Sequence, residues 1–187
     1  MDLFIKKKIK KVKKGDQSAF EEIVTFYQGK VYQICFRMLG NAHEAEDIAQ
    51  EAFVRAYTNI HSFDENRKFS TWLYRIATNL SIDRIRKKKP DYFLDAEVKG
   101  TEGLTMYSQI SADQALPEEE VESLELQSYI HKQILSLPAK YRSVIVLRYI
   151  DELSLQEISE VLDIPIGTVK TRIHRGREAL RKKLRHV

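Results

Sequence analysis

Residues 155–174 read LQEISEVLDIPIGTVKTRIH, and this stretch decides how the rest of the chain is read. Apolar residues fall at Ile158, Leu162, Val169 and Ile173, at helical spacing on either side of a break at Asp163-Ile164-Pro165. Two short helices that cross steeply need a small side chain where they meet, and Ser159 supplies it. The turn between them needs a residue that tolerates positive φ; Asp163 does so, less easily than glycine. The pattern is a helix-turn-helix, whose second helix lays its N-terminal half in the major groove of DNA. On that helix Val169, Ile173, Leu180 and Leu184 make one buried stripe. Lys170, Thr171, His174 and Arg175 point away from it and are the candidates for base edges. Thr168, Arg172, Arg177, Arg181 and Lys182 are the candidates for phosphates. Residues 168–187 hold eight Lys/Arg and one acid. A solvated basic helix in a bundle is the competing reading.

Outward from this motif the chain continues as helix. Strand signals are nearly absent: no long period-2 alternation, no Asn-Gly or Asp-Gly hairpin. Seven glycines and four prolines fall mostly where helical patterns stop or start. Asp16 is placed to cap a helix through Phe20, Ile23 and Tyr27, which continues or restarts through Val31, Ile34 and Met38 to Gly40. Asn41, with Glu44 three residues on, reads as a capping box. The helix it opens turns Ala45, Ile48, Ala49, Ala52, Phe53 and Ala56 inward. Ser70 or Thr71 opens the next, through Leu73, Ile76, Ala77 and Leu80. The expected fold is all-α: a first domain over 1–92, a flexible acidic linker over 93–122 and a helix-turn-helix domain over 123–187.

Charge follows the same division. Residues 1–92 carry 18 Lys/Arg against 12 Asp/Glu, residues 93–122 carry 1 against 8, and residues 123–187 carry 12 against 7. Two basic blocks around an acidic connector suit a polyanion touched at two places. Three differently solvated surfaces would give the same numbers.

The first domain carries the second constellation. Residues 61–87 read HSFDENRKFSTWLYRIATNLSIDRIRK. Phe63, Phe69, Trp72 and Tyr74 lie within twelve residues, interleaved with Arg67, Lys68 and Arg75; Arg84, Arg86 and Lys87–Lys89 follow. Aromatics stack on unpaired bases and cations hold the backbone of a freed strand. Trp72 also stands at core spacing from Ile76 and Leu80, so a structural role for it remains open. Residues 45–57, AEDIAQEAFVRAY, present Glu46, Asp47, Gln50 and Glu51 on one face. That face is either solvated or a docking surface.

These stretches resemble a known family. Residues 61–87 resemble regions 2.3–2.4 of bacterial RNA polymerase sigma factors, residues 45–57 region 2.2, and residues 154–180 region 4.2. Their order and the short chain resemble the extracytoplasmic-function (ECF, group IV) class, nearest to its sigma-W branch in spore-forming Gram-positive bacteria. The resemblance implies an alternative sigma factor that directs core polymerase to stress-response promoters, with cell-envelope stress as the setting. By it, the 61–69 loop captures a flipped base of the −10 element, and Asn79 lines that side with Phe63, Phe69, Trp72, Tyr74, Arg75, Arg84 and Lys87. The acidic face docks on the β′ clamp helices of core RNA polymerase, the second domain on the β flap, and α-helical residues 168–182 bind −35 duplex. A membrane-anchored anti-sigma factor would hold the chain inactive in the cytoplasm, at the inner face of the membrane. Departures are a single Trp72-Leu73 where many sigma factors have two tryptophans, and Asp163 and Ser159 at positions where Gly and Ala are commoner.

Other classes are excluded or disfavoured. His43-Glu44 starts like a zinc-protease helix, but position 47 is Asp and five histidines are scattered, so no metal is expected. One cysteine, Cys35, rules out an internal disulfide. No phosphate-cradling glycine loop or nucleophile elbow occurs, so neither an enzyme nor a cofactor nor a small-molecule substrate is expected. The lysine-rich first helix has too small an apolar face (Phe4, Ile5, Ile9, Val12) for a membrane anchor and should pack on the first domain. The alternative function is a helix-turn-helix regulator that binds operators without acting as a sigma subunit.

Overall fold

Helix ends are set where the sequence supplies caps. The computed structural model describes residues 2–88 and 118–184. The expected linker, up to residue 117, lies outside the described residues. α1 spans Asp2–Val12 and α2 spans Gln17–Leu39 as one unbroken helix. The Asp16 carboxylate accepts from the Ala19 N–H at 3.1 Å and from the Ser18 hydroxyl at 2.8 Å. Gly40 ends α2 at φ 71°, and its N–H donates to Phe36 O. α3 (Ala42–Thr58) is capped by Asn41, whose side chain accepts from the Glu44 N–H at 3.0 Å. The reciprocal half of the expected box is replaced. Glu44 turns to α4 (Phe69–Lys88), where Lys88 lies at 2.7 Å and Arg84 at 3.6 Å. Two cations outcompete one neutral N–H for a carboxylate. α4 begins at Phe69, slightly ahead of the Ser70 or Thr71 start expected.

α1–α4 pack around α2. Ile5, Ile9 and Val12 bury α1 against it, as expected. Ala45, Ala49, Ala52 and Ala56 form a small-residue stripe on α3, all buried. Cys35 is fully buried, and burial pushes its thiol up to about 11.

The second unit holds α5 (Glu118–Leu135), α6 (Ala139–Ile145) continued by a π-helical turn (Val146–Ile150), α7 (Leu155–Leu162) and α8 (Ile166–Leu184). α5 starts inside the stretch expected to be linker. Ser154 and Glu157 form a complete capping box on α7. Asp163 takes the left-handed conformation, φ 54° and ψ 48°, and the Ser159 hydroxyl donates to Ile164 O at 2.5 Å. The turn chemistry is therefore as expected. The small core differs in detail: Val161 is fully buried and Leu162 only half-buried. The stripe on α8 runs Val169, Ile173, Gly176, while Leu180 and Leu184 are half-buried.

The two units are packed together. Val144, Leu147, Ile158, Val161, Val169 and Ile173 share one hydrophobic cluster with the first unit, and Met38 reaches into the cluster of Ile134, Leu137, Ile145 and Val146. Three ion pairs cross the boundary, each at 2.8 Å: Lys68–Glu157, Arg75–Asp163 and Lys30–Asp151. The buried Arg142 guanidinium donates to Met38 O at 2.6 Å, to Leu137 O at 3.0 Å and to Leu135 O. It thus serves the C-terminal carbonyls of α2 and α5 together, and burial brings its pKa down to about 10. His131 on α5 lies against Phe36 of α2, with ring centroids 5.2 Å apart. Burial, then Arg37, holds its imidazole down at about 4.

Candidate nucleic-acid interface

The recognition helix keeps its outer face free while its inner face packs. Lys170, Thr171, His174 and Arg175 are all exposed on α8, on the side away from Val169 and Ile173. The Thr171 hydroxyl donates back to Gly167 O at 3.0 Å. Of the phosphate candidates, Arg177, Arg181 and Lys182 are exposed and Thr168 and Arg172 half-buried; Arg181 pairs with Glu178 at 3.2 Å. A cleft of about 360 Å³ lies between α6 and α8, lined by Lys140, Tyr141, Gly167, Thr168, Thr171, Arg172 and Arg175. Arg175 beside Tyr141 holds its hydroxyl below the usual phenol value. Lys140 and Tyr141 were not among the sequence candidates. They precede α8 by 25 positions or more, and only the packing of α6 on α8 brings them into the cleft.

The first unit turns most of its candidate aromatics inward. Phe63, Phe69 and Tyr74 are buried, and Trp72 is half-buried. Phe63 meets Phe69 edge-on at 5.4 Å, Trp72 lies 5.1 Å from Phe63, and Tyr27 packs on Phe69 and Tyr74. Burial raises the Tyr74 hydroxyl pKa. Three of the four rings expected beside a freed strand are therefore core in this conformation. The cause is helical phase: Phe69, Leu73, Ala77 and Leu80 face inward, and Phe63 folds over them from the loop. The outward phase of the same helix, Trp72, Ile76, Asn79 and Asp83, lines a cavity of about 320 Å³. Arg55, Asn59, Ser62 and Leu80 complete it. A flat ring, aliphatic carbons and convergent amide and hydroxyl groups are what a nucleobase needs for stacking and edge recognition. Asn79, a candidate from the sequence, lines the cavity, and so do Arg55, Asn59 and Asp83, which were not candidates.

The cations of α4 and of the loop before it are largely engaged. Arg75 is tied to Asp163, and Arg84 to Glu44. Lys68 holds Glu157, whose carboxyl falls to about 2, first through this hydrogen bond and then through the Ser154 N–H. Lys87 is exposed and forms no ion pair among the described residues.

On α3, Glu46, Asp47 and Gln50 are exposed. Glu51 is half-buried and accepts from Arg55 Nε at 2.7 Å. One turn further on, Val54 and Tyr57 are also exposed. The face is therefore acidic at one end and apolar at the other, and the apolar end was not legible as surface.

An all-α chain with a recognition helix on one unit and a base-sized cavity on the other is a two-part nucleic-acid-binding protein. The comparisons resolve the class. Sigma-70 region 2 matches residues 23–90, and Sigma-70, region 4 matches residues 127–180. The chain is 76% identical over 187 residues to the ECF RNA polymerase sigma factor SigW of Bacillus subtilis (strain 168), covering all of both chains. It is 38% identical over 180 residues to the ECF RNA polymerase sigma-E factor of Escherichia coli (strain K12), covering 94% of this chain and 92% of the relative. Among solved structures, CnrH in complex with the cytosolic domain of CnrY matches with a TM-score of 0.68 at 23% identity, covering 97% of each chain. The sigma factor RpoE in complex with the anti-sigma factor NepR from Bartonella quintana matches with a TM-score of 0.61 at 19% identity, covering 89% of this chain and 98% of that one. Both are likenesses of fold. The chain belongs to the ECF RNA polymerase sigma factors of the sigma-70 family. The operator-binding regulator is thereby set aside, since its N-terminal domain would be unrelated to region 2.

Proposed function

We propose that this sigma factor divides promoter recognition between its two units, with core RNA polymerase as the partner that joins them on DNA. In the second unit, Lys170, Thr171, His174 and Arg175 read the −35 duplex. Lys140, Tyr141, Thr168 and Arg172 clamp a phosphate run through the cleft, and Arg177, Arg181 and Lys182 extend it. In the first unit, one base of the opened −10 strand enters the cavity, against Trp72 and within reach of Asn79. Phe63, Phe69 and Tyr74 support the cavity from beneath. Arg75, Arg84 and Lys87 hold the strand's backbone. Glu46, Asp47, Gln50 and Glu51, with Val54 and Tyr57, dock on the β′ clamp helices, and the second unit meets the β flap. The chain itself is assigned no catalysis. The observation that carries this reading is the cavity on α4, because a regulator that only binds duplex has no use for a base-sized site.

The closed arrangement sets a condition on this function. Lys68 and Arg75 cannot hold DNA while they hold Glu157 and Asp163. Core polymerase must separate the units, and residues 93–122 then serve as the tether that makes two weak DNA contacts act as one. A membrane-anchored anti-sigma factor would stabilise the closed form at the inner face of the membrane until envelope stress removes it. Run-off transcription with purified core polymerase and a pool of promoter fragments tests the whole reading. Discrete transcripts that require both proteins are expected. Their absence, together with tight operator binding by the free chain, would overturn it.

A further inference from the structure

We propose that α1 is a phosphate rail for the single strand that leaves the base cavity; this rests on the reading of that cavity given above. α1 and the residue pair after it carry seven lysines, Lys6, Lys7, Lys8, Lys10, Lys11, Lys13 and Lys14. Folding accounts for two of them. Lys8 pairs with Glu22 at 2.5 Å. Lys13 donates to Phe63 O at 3.0 Å and pairs with Glu65 at 3.1 Å. The anchoring of the helix is done by Ile5, Ile9 and Val12, which are buried. Lys6, Lys7, Lys10, Lys11 and Lys14 are exposed and form no ion pair among the described residues.

These five lie on the solvent side of α1 and the turn after it; the C-terminal end of the helix favours Lys10 and Lys11, but Lys6 and Lys7 gain nothing from it. Lys6–Lys10 and Lys7–Lys11 are like-charge pairs at i,i+4, each unfavourable by about 0.2–0.5 kcal/mol. A helix that keeps such repulsion on its solvent side is built for a polyanion. Its position says which. Lys13 fastens the end of α1 to the loop of Phe63 and Glu65, and Ser62, the neighbour of Phe63, lines the cavity. The lysine face therefore begins at the rim of the base site. From Lys6 to Lys11 it runs about 7.5 Å, at 1.5 Å per residue, and the turn after α1 carries it on to Lys14. That length accommodates roughly two or three phosphates of one strand. A strand pinned by one base in the cavity has its next phosphates at this rim, and cations there would lower the cost of keeping it unpaired. The apolar side of α1 is spent on α2, so the helix has no face left to insert into a lipid surface.

The test uses holoenzyme assembled from core polymerase and the full chain. One variant carries Lys6→Gln, Lys7→Gln, Lys10→Gln, Lys11→Gln and Lys14→Gln; a second carries Arg at the same five positions. Binding to a promoter fork with a single-stranded −10 segment is measured against salt. The Gln variant should lose about 1.5 to 2 from the salt slope, at roughly 0.7 per single-strand phosphate. That is about an eight-fold to sixteen-fold change in relative affinity across a four-fold change in salt. The Arg variant should keep the wild-type slope, and binding of the Gln variant to a fully duplex −35 fragment should be unchanged. An unaltered fork slope would overturn the rail, as would an equal loss on the −35 duplex. Wild-type binding to phosphatidylglycerol vesicles that needs the five lysines, with an unaltered fork slope, would assign the face to a membrane instead. Asn79→Ala, measured on the same fork, separates the two failures: if it weakens binding while the Gln variant does not, the rail alone is wrong. If neither variant weakens it, the cavity reading falls as well.

Discussion

Removing the Lys30 ammonium should deepen the pH dependence of a contact between the two units. The Asp151 side chain has no exposed surface, and Lys30, at 2.8 Å, is its one ion-pair partner among the described residues. Neither Asp151 oxygen accepts a well-directed hydrogen bond. Burial raises its pKa, opposed by Lys30 and, more weakly, by Arg37. In Lys30→Met the opposition is nearly gone while the burial stays. Removing one partner of a buried pair costs about 3–5 kcal/mol. Because Lys30 is 35% exposed in its side chain, the lower end applies, about 2–3 kcal/mol at pH 8. The sign follows from linkage. A carboxyl whose folded pKa is raised binds its proton more tightly folded than unfolded. Its contribution is therefore fully present at low pH and lost as pH rises through the folded value. The loss accumulates at about 1.4 kcal/mol per pH unit between the unfolded and folded values. Lys30→Met should thus approach wild type at about pH 4, close to the unfolded carboxyl value, and be clearly weaker at pH 8, and adding Asp151→Asn should restore most of the loss. Urea unfolding at both pH values, with energy transfer between dyes on α1 and α8, reads stability and closure together. A loss of the same size at both pH values, or one that Asp151→Asn fails to relieve, would refute the argument.

Gly176→Ala sets helix propensity against packing. Ala gains about 1 kcal/mol in a helix interior, while overpacking costs about 1–3 kcal/mol. The new Cβ would lie 2.9 Å from Ile145 Cγ1 and 3.2 Å from Cδ1, so a net loss of about 1 kcal/mol in urea unfolding is expected, and a gain of the full propensity term would contradict it. Lys170→Ala or His174→Ala should change −35 sequence preference, by about 1–3 kcal/mol for a base contact, in a promoter-library readout. Lys182→Ala should weaken all sequences evenly and reduce the salt slope; identical preference profiles in all variants would remove the base assignments. Asp47→Arg should reduce co-purification with core polymerase while circular dichroism stays unchanged, and intact co-purification would clear this face of a docking role. His131→Gln should flatten the acid limb of unfolding. The wild-type imidazole is held at about 4 against 6.5, so its burial costs stability progressively as pH falls from 6.5 towards 4. An unchanged limb would place the sensitivity elsewhere.

What was legible in the sequence was local. Ser159 and Asp163 announce the helix-turn-helix because the crossing and the turn each impose a requirement within ten residues. The alanines of α3 announce its inner face by period alone. The buried state of Phe63, Phe69 and Tyr74 was not legible, because a core stripe and a base-stacking stripe on one helix use the same residue types at the same spacing. The loop position of Phe63 adds no periodic signal at all. Arg142 reads as a surface cation; its burial follows from three carbonyls at the ends of α2 and α5, which exist only once both helices have stopped. The packing of the two units was equally silent. It rests on pairs such as Arg75–Asp163, 88 positions apart, where each member looks like ordinary surface charge. The cleft on α6 and α8 was half seen: its α8 side follows from the motif, its α6 side from tertiary structure.

Glu157 does two jobs with one carboxylate: it completes the cap of the first helix of the reading motif, and it restrains Lys68 beside the base cavity. With its pKa near 2, it stays ionised through any acidity in which the fold survives, so protons have no hold on this restraint. Ions do. The Lys68 side chain is 58% exposed, and at the neighbouring pair Asp163 is 74% exposed, so both attractions are screened by dissolved salt over a length of about 8 Å at 0.15 M. Raised salt also weakens every phosphate contact the released cations could make. Release and capture therefore draw on the same variable in opposite directions. If the two units part on DNA as proposed, an intermediate ionic strength would favour it most: below it the pairs hold the units together, above it the phosphate contacts are screened as well.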